Sequence, residues 1–440
     1  MRKSTENPEI FKRRRKKIVQ KLNGAALIIA AHPEQIRNDD VQHFYRQDSN
    51  MYYVTGFEEP ESFVLIRPGL TPETVMFVRE KNVERETWDG FRFGPEGAKK
   101  EFLVDEVYTI DKFEEKAVEL LKGFEELYYR LYKNPEADAK IEKILMTLKR
   151  AQGRTGYGLL TVKDADSFLG EFRLKKDADD LSNQRRASQI SAEAHVAAMK
   201  FVKPGVSERQ VQAVLSYEFH LKGAARVGYP YIIASGASAT TLHYNFNDQV
   251  CKNGDLLLID AGAEYNYYSG DITRTFPVNG KFSSAQRKVY QGVLDVQKEI
   301  LAQIKPGIYF KDLHKMGEEK LTDLMFELGL LSGRKEDAMK ANEHRRYYPH
   351  GIGHWLGMDV HDSGLYFINN EPRPIEEGMC FTIEPGIYIP ADDQSAPAEL
   401  RGIGIRIEDN IVVTRNGCDN LTSGAPKEVD EIEKIVGSGL

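Results

Sequence analysis

Apolar positions in the N-terminal part of the chain change repeatedly between strand-like and helix-like spacing. Residues 25–31, 62–67 and 74–79 are short apolar runs that predict strands. Residues 113–121 have the spacing of an amphipathic helix. This alternation predicts an α/β layer domain.

A basic segment, FKRRRKKIVQKL at residues 11–22, precedes the first predicted strand. Phe11, Arg15, Ile18 and Leu22 fall on one helical face, so the segment predicts a helix whose cations lie on the solvated side. A strand-like run follows without a clear cleavage site, so a signal peptide is not expected.

The polar stretch FRLKKDADD at residues 172–180 predicts a domain boundary. The two domains would comprise residues 1–172 and residues 173–440. A chain of 440 residues is too long for one ordinary core, which agrees with this division.

The second part of the chain contains a weak internal repeat. VKPG at residues 202–205 recurs as IKPG at residues 304–307, in each case between helical patterns. IDAG at residues 259–262 recurs as IEPG at residues 383–386, in each case after an apolar strand pattern. A second acidic residue follows in each half. Each half therefore predicts two helices and then strands, with two carboxylates supplied to a shared site.

Composition narrows the function classes. The hydrophobic fraction of 41% and the charged fraction of 29% are ordinary for a soluble globular protein. The net charge of -7 gives no reason to expect nucleic acid as a partner, and no apolar run approaches the length of a membrane span. The three cysteines form no CxxC pair, which fits core packing in a reducing cytoplasm, the expected location.

Five candidate metal ligands occur in the C-terminal part of the chain, four carboxylates and one imidazole. They are Asp260, Asp271, His354, Glu384 and Glu408. Two hard or borderline divalent ions would need a set of this kind. Two ions that share ligands hold a water between them and lower its pKa, so the set predicts a dinuclear metallohydrolase.

The flanking sequence of each carboxylate supports this interpretation. Asp260 ends an apolar strand pattern, where a lone carboxylate is costly to bury. Asp271 is expected on an adjacent hairpin strand that faces the same point, although a turn position is the alternative for either aspartate alone. Glu384 follows another apolar strand, and the glycines of GIGIRIED before Glu408 allow close backbone approach.

The Gly-rich segment HGIGHWLGMDVHD contains His350, His354 and His361. It is not the helical HExxH zinc signature, because no Glu lies between the histidines. Three histidines beside glycines favour a site over core positions. A fourth histidine, His243, is uninformative by itself.

The order and spacing of these residues resemble the pita-bread metallopeptidases, in particular their aminopeptidase P branch. The resemblance also rests on YRQDSN at residues 45–50, VTGF at 54–57, the histidine segment at 350–362 and GIRIED at 404–409. It covers nearly the whole chain. It implies an α/β N-terminal domain and an α+β pita-bread (creatinase/aminopeptidase-like) catalytic domain with an internal pseudo-repeat.

The resemblance implies a metal-dependent exopeptidase. It would release the N-terminal residue from peptides with proline in second position, by attack of a metal-bridging hydroxide. Two divalent ions, expected to be Mn²⁺, would be the cofactors. Asp271, His354 and Glu384 would hold one ion, Asp260 would chelate the other, and Glu408 would bridge both.

The same resemblance implies roles around the scissile bond. Glu384 would also take a proton from the nucleophile and pass it to the leaving proline nitrogen. His361 would stabilise the developing oxyanion, and His243 would help to hold the substrate and the leaving group. His350 and Arg406 would orient carboxylates and shape the pocket.

Proline specificity predicts an apolar slot, because the scissile bond is a tertiary amide with no N–H. Tyr229, His350 and Tyr366 are its expected walls, and an ordinary core position is the alternative for each tyrosine. Trp88 is expected to come from a neighbouring subunit. Arg154 is expected to meet the downstream carboxylate or carbonyls of the peptide.

Three other functions are alternatives from the sequence. A prolidase shares the metal site but must recognise the free carboxylate of the proline in a dipeptide. A non-catalytic pita-bread binding module, or a creatinase-type hydrolase without metals, would lack ligands that are complete here. The expected partners are peptides with penultimate proline and further copies of the chain in a dimer or tetramer, with no nucleic acid and no membrane.

Overall fold

The computed structural model describes residues 6–156 and 161–439. The chain divides into two compact units, Met1–Phe172 and Arg173–Leu440.

The first unit alternates helices and strands. Its helices are α1 (Pro8–Lys21), α2 (Ser49–Thr55), α3 (Val83–Asp89), α4 (Gly94–Phe102), α5 (Phe113–Leu120), α6 (Pro135–Thr155) and α7 (Ala165–Leu174), which runs through the division. Its strands are β1 (Ala26–Ala30), β2 (Ile36–Asn38), β3 (Val41–Gln42), β4 (Phe63–Ile66), β5 (Thr74–Val78), β6 (Glu106–Thr109), β7 (Glu126–Tyr128) and β8 (Thr161–Lys163).

One mixed sheet organises this unit, with strand order β6-β5-β4-β1-β7-β8. Strand β1 pairs antiparallel with β4 and parallel with β7. The apolar runs predicted as strands are β1, β4 and β5, and the predicted amphipathic helix is α5. The α/β architecture predicted for this part of the chain is confirmed.

The basic segment forms α1, but its cations are not all solvated as predicted. Phe11 and Ile18 are buried, and so are Arg14 and Arg15. The Arg15 guanidinium donates to the carbonyls of Val54 (3.0 Å) and Leu103 (2.7 Å). Burial lowers the pKa of Arg15 to about 10. Carbonyls at the ends of neighbouring helices replace water around this cation. Helical periodicity alone cannot predict these contacts, because they come from other segments of the chain.

The second unit contains the remaining elements. Its helices are α8 (Ala178–Phe201), α9 (Glu208–Leu221), α10 (Ser284–Leu301), α11 (Phe310–Glu327), α12 (Lys335–Lys340) and α13 (Val429–Ile435). Its strands are β9 (Arg226–Val227), β10 (Ile232–Ser235), β11 (Leu256–Asp260), β12 (Ala263–Tyr265), β13 (Tyr268–Ser269), β14 (Thr273–Pro277), β15 (Phe367–Ile368), β16 (Glu371–Pro372), β17 (Cys380–Ile383), β18 (Gly386–Tyr388), β19 (Gly404–Arg406), β20 (Asp409–Val413) and β21 (Cys418–Asn420).

Side-chain caps fix where the long helices begin. Asp177 and Asp180 form a capping box at the start of α8. Ser207 does the same with Gln210 at α9, and Ser283 does so with Gln286 at α10. Each box satisfies backbone N–H groups that would otherwise lack partners in the first helical turn.

The predicted internal repeat is present in the fold. In each half the KPG glycine donates its backbone N–H to the carbonyl of a later residue, Gly205 to Cys251 (2.9 Å) and Gly307 to Ile375 (2.8 Å). Helices α8 and α9 precede the sheet β10-β11-β14, and α10 and α11 precede the sheet β17-β20-β21. One large apolar cluster contains buried side chains from all four of these helices and from strands of both halves. The pita-bread architecture with a pseudo-repeat is confirmed.

Among the described residues, no helix is long and apolar enough to cross a membrane.

Glycines let the strands of the second unit approach each other closely. A Cβ at Gly262 would lie 1.7 Å from the carbonyl oxygen of Gly270, and a Cβ at Gly353 would lie 1.9 Å from that of Thr382. Both contacts are with backbone, which cannot rotate away. The segments that carry Asp260, Asp271 and His354 therefore depend on these glycines.

We predict that Gly262→Ala destabilises the protein by about 1–3 kcal/mol, because the added methyl forces apart two backbone segments. Urea unfolding of the metal-free protein measures this loss. Gly417→Ala is the matched control, because a Cβ there lies 3.9 Å from its nearest neighbour atom. Equal unfolding midpoints for Gly262→Ala and wild type would contradict the close approach.

Candidate metal centre

Four strand ends bring the predicted carboxylates together. Asp260 ends β11, where it lies opposite Thr273 at the start of β14, and Asp271 precedes that strand. Glu384 directly follows β17, and Glu408 lies between β19 and β20. The repeat thus supplies two carboxylates from each half, as predicted.

These carboxylates line one cavity of 590 Å³. The cavity is also lined by Tyr229, His243, His350, His354, His361 and Arg406. Asp271, His354 and Glu408 form a group in which one ligand atom from each lies within 4.8 Å of the others. The Nε2 atom of His354 is 3.2 Å from Asp271 Oδ2 and 3.7 Å from Glu384 Oε1. This is an arrangement that could hold a metal ion.

The electrostatics of the cavity fit cations. Burial raises the pKa of Glu408 well above its usual value, and the negative charges of Asp271, Glu384 and Asp260 raise it further. Burial also raises the pKa of Glu384. Four carboxylates in one buried cavity repel each other and resist ionisation without a compensating positive charge. Divalent ions with oxygen and imidazole ligands supply that charge, so the residues present fit such ions.

His354 presents its Nε2 atom to the carboxylates. Its Nδ1 atom lies 3.1 Å from the carbonyl oxygen of Trp355, so in the neutral ring Nδ1–H donates and Nε2 carries the lone pair. Burial lowers the pKa of His354, but the hydrogen bond and charge of Asp271 outweigh it and raise the value to about 9. A metal ion at this position would replace that proton.

Arg406 is fully enclosed and binds one carboxylate directly. Its Nη2 atom donates to Asp260 Oδ2 over 2.6 Å, and Nε donates to Thr273 Oγ1 over 3.1 Å. The Thr273 hydroxyl in turn donates to Glu408 Oε2 over 2.7 Å. Tyr229 donates to the other oxygen of Asp260 over 2.6 Å. Asp260 is therefore oriented from two sides.

His350 lies beside Glu384, with its Nδ1 atom 3.7 Å from Glu384 Oε2. Its Nδ1–H donates to the carbonyl of Gly351 over 2.8 Å, so Nε2 accepts from the Tyr388 hydroxyl over 2.7 Å, and that hydroxyl accepts from Arg406 Nη1 over 3.0 Å. Burial, followed by the charge of Arg406, lowers the pKa of His350 to about 3. The ring is neutral at physiological pH.

The remaining histidines lie at the open side of the cavity. His243 and His361 are both exposed on the surface of the protein. The rings of His354 and His361 meet edge to face, with centroids 4.3 Å apart. Burial, then the positive charge of His354, lowers the pKa of His361.

The four predicted substrate-binding residues have different surroundings. Tyr229 lines the cavity. Tyr366 instead stacks on Trp355 with ring centroids 4.8 Å apart, and its hydroxyl accepts from the backbone N–H of Trp355 over 2.9 Å. Trp88 in α3 and Arg154 in α6 belong to the first unit, and both are exposed. A role for these two in substrate binding stays a prediction.

Sequence reasoning missed a set of buried polar groups behind the ligands. They lie on α8 and β20 and at the start of β14, and they are Gln184, Ser188, Ser191, His195, Thr273 and Asn410. Ser191 Oγ accepts from the Ala263 N–H over 2.9 Å. Asn410 accepts from the Asp271 N–H over 2.9 Å and donates to its carbonyl. Helical spacing on α8 was the available signal, because residues 184, 188, 191 and 195 share one face.

Two family matches cover much of the chain. Residues 182–415 match metallopeptidase family M24. The chain belongs to this family. Residues 11–128 match the N-terminal domain of aminopeptidase P, so the M24 unit is combined with the first domain expected for that branch.

Relatives match this M24 chain over nearly its whole length. It is 38% identical to the Xaa-Pro aminopeptidase of Escherichia coli strain K12 over 429 residues. This alignment covers 97% of each chain. It is 34% identical to human Xaa-Pro aminopeptidase 3, in an alignment that covers 93% of this chain and 80% of the human one. The structure of Pseudomonas aeruginosa aminopeptidase PepP aligns with a TM-score of 0.94, 40% identity and 98% coverage of both chains. The E. coli aminopeptidase P structure with the inhibitor Pro-Leu aligns with a TM-score of 0.92 and 36% identity over the same share.

The matches decide between the functions that the sequence left open. The predicted membership of the aminopeptidase P branch of the pita-bread metallopeptidases is confirmed, and so are the predicted fold class and hydrolytic activity. The Xaa-Pro aminopeptidase interpretation is confirmed over the prolidase, since the E. coli, Haemophilus influenzae and P. aeruginosa relatives, which match nearly the whole chain, are aminopeptidases. The M24 chain is a metallopeptidase with a group able to hold a metal ion at Asp271, His354 and Glu408.

We predict that acid destabilises the metal-free protein partly through His350. Its folded pKa of about 3 lies below the unfolded value of about 6.5, so below that pH the unfolded chain binds a proton that the folded chain does not. The stability is present above pH ~6.5 and is lost as the pH falls towards 3.

Urea unfolding at about pH 7 and about pH 5.5 measures this effect. His350→Asn should lose about 1 kcal/mol less than wild type between the two conditions. His220→Asn, at an exposed position on α9, is the control and should follow wild type. An unchanged pH dependence in His350→Asn would refute the neutral state of the buried ring.

Proposed function

We propose that the cavity of the second unit cleaves the bond between the first residue and proline in Xaa-Pro-Yaa peptides. Asp260, Asp271, His354, Glu384 and Glu408 hold two divalent ions there. The observation that carries this proposal is the meeting of four carboxylates, three of them buried, and one imidazole in a single cavity. Residues 173–440 are then the catalytic domain, and residues 1–172 are the accompanying aminopeptidase P-type domain.

Mn²⁺ is the proposed metal, because oxygen-rich ligand sets suit hard divalent ions. When bound, the ions lower the pKa of water and supply a nucleophile at neutral pH. A zinc-substituted form of E. coli aminopeptidase P also exists, so a relative accepts zinc. Asp271, His354 and Glu384 would hold one ion, Asp260 would hold the other, and Glu408 would contribute to both.

Glu384 moves the proton. Burial raises its pKa, which brings the carboxylate towards the range where it both accepts and returns a proton. Its Oε1 atom accepts one long hydrogen bond from a described residue, Thr382 Oγ1 at 3.4 Å. The carboxylate is therefore free to take a proton from the attacking water and to deliver it to the proline nitrogen.

His361 and His243 act on the substrate from the open side of the cavity. His361 is held neutral beside His354, so it donates a neutral hydrogen bond to the oxygen on which charge develops. His243 faces the same cavity and holds the substrate and the leaving group. His350 and Arg406 do not react, but keep Glu384 and Asp260 in place.

The proline ring is selected by shape. Pro230, Ile232, Leu242 and Val360 add apolar surface to the cavity beside Tyr229. An apolar wall loses nothing against a nitrogen that carries no hydrogen, whereas a buried acceptor there would lack a partner. The E. coli inhibitor Pro-Leu begins with proline, as the fragment that leaves this reaction does.

Other predicted contacts complete the proposal. Tyr366 supports the slot from behind through its stack on Trp355. Trp88, from a neighbouring subunit, and Arg154 contact the substrate beyond proline. Assembly as a dimer or tetramer and a cytoplasmic location are further expectations of the same proposal.

Hydrolysis of an Xaa-Pro-Yaa tripeptide beside the matching Xaa-Pro dipeptide tests the activity. Both are assayed after chelation and again after addition of Mn²⁺. We expect metal-dependent release of the first residue from the tripeptide and little cleavage of the dipeptide. Activity confined to the dipeptide would overturn the proposed specificity, and inactivity with metal bound would overturn the proposed reaction.

We predict that Glu384→Ala and His361→Ala separate metal binding from chemistry. Glu384→Ala should keep the fold, since it removes one of four repelling charges, and should lose both metal and activity. His361→Ala should bind metal like wild type and lose activity by about 10²-fold or more, as expected for a lost oxyanion donor.

Metal content after dialysis, circular dichroism and kcat on the tripeptide measure the two variants together. Glu376→Ala is the matched control, because its carboxylate is half exposed and pairs with Lys175 on the surface. A metal-replete, active Glu384→Ala protein would remove Glu384 from the site.

A further inference from the structure

Two buried polar side chains occupy the same position of the repeat. His195 lies seven residues before Val202 on α8, and Gln297 lies seven residues before Ile304 on α10. Val202 and Ile304 begin the two KPG segments that relate the halves. Both side chains are completely buried. A polar group in such a place is costly unless it forms hydrogen bonds.

His195 bonds to the peptide next to a ligand of the first half. Its Nε2 atom is 2.9 Å from the carbonyl oxygen of Ala261, the residue that follows Asp260. A carbonyl only accepts, so the neutral ring carries its hydrogen on Nε2. Burial lowers the pKa of His195 to about 4, which agrees with a neutral ring. Nδ1 has no hydrogen-bond partner among the described residues.

In the second half, Gln297 bonds to the peptide carbonyls beside two proposed ligands. Its Nε2 atom donates to the carbonyl of Ile383 over 3.2 Å and to that of Ile407 over 3.0 Å. These residues directly precede Glu384 and Glu408. One amide group thus joins the two strand ends that carry the acidic ligands of this half.

A second contact fixes the orientation of the Gln297 amide. Lys427 Nζ donates to Gln297 Oε1 over 2.8 Å and to Asp409 Oδ2 over 2.5 Å. Asp409 in turn accepts from the buried Arg274 over 2.7 Å. With its oxygen engaged by an ammonium group, the amide must present its N–H₂ to the two carbonyls.

We propose that His195 and Gln297 are matched positioning residues of the metal centre. Each projects a neutral N–H donor from the first helix of its half onto the peptide carbonyls beside the carboxylate ligands. They hold the strand ends at the separation that ion binding needs, against the mutual repulsion of the carboxylates. This inference rests on the proposed metal site, but neither residue contacts metal or substrate.

Mn²⁺ titration of the metal-free full-length protein by calorimetry tests the inference without any assay of activity. His195→Leu and Gln297→Met remove the donors and keep most of the buried volume. We expect Mn²⁺ to bind about 10- to 100-fold more weakly to each, as for other groups that orient ligands from behind. His195→Gln places the side chain of the other half at this position and should bind Mn²⁺ within about 3-fold of wild type.

Controls separate positioning from stability. Thr322→Val removes a hydroxyl that is equally buried in the same unit but bonds within α11, to the carbonyl of Glu318 over 2.6 Å. It should lower the melting temperature of the metal-free protein and leave Mn²⁺ affinity unchanged. If His195→Leu does not fold, His195→Asn replaces it, because this shorter amide falls short of the Ala261 carbonyl and should also weaken binding.

The outcomes distinguish the two proposals. A wild-type protein that binds no Mn²⁺ would refute the metal site itself. Wild-type affinity in His195→Leu or His195→Asn and in Gln297→Met, with any loss confined to stability, would overturn the positioning role. If His195→Gln bound Mn²⁺ as weakly as His195→Leu, the positioning role would also be overturned. An N–H donor at position 195 would then not be enough to preserve Mn²⁺ affinity.

Discussion

Repulsion among four carboxylates that line one cavity is the constraint on which the second unit depends. Brought together without cations, these groups hold their protons more tightly than in water, as the raised pKa values of Glu384 and Glu408 show. The fold provides side-chain donors to two of them, from Arg406 and Tyr229 to Asp260 and from Thr273 to Glu408. The site is therefore organised before a metal arrives, at a cost that metal binding offsets.

Local sequence contained much of this arrangement. Each ligand carboxylate follows or flanks an apolar strand pattern, where an acidic residue is costly unless it binds something. The repeat showed that the ligands come in pairs from two similar halves. Both signals are short-range, so the meeting of these carboxylates in one cavity could be predicted without knowledge of the strand pairing.

The supporting contacts could not be predicted in the same way. Thr273 and Glu408, or Asn410 and Asp271, lie more than 130 residues apart and meet only through the register of the sheets. The polar face of α8 follows helical periodicity, yet periodicity cannot tell a buried polar face from a solvated one. The same limit explains Arg15, which the sequence placed in water and the fold places among carbonyl oxygens.

The division of the ligands between the halves has a thermodynamic consequence. An ion bound by both halves acts as a reversible cross-link between residues 260–271 and 384–408, formed only when both are folded. Ligand binding to the native state alone adds about 2.7 kcal/mol at a free concentration of 100 times the dissociation constant. The stability of the second unit is then a function of free metal in its surroundings. Metal starvation would loosen the joint between the halves as well as stop turnover, and would expose the protein to proteolysis.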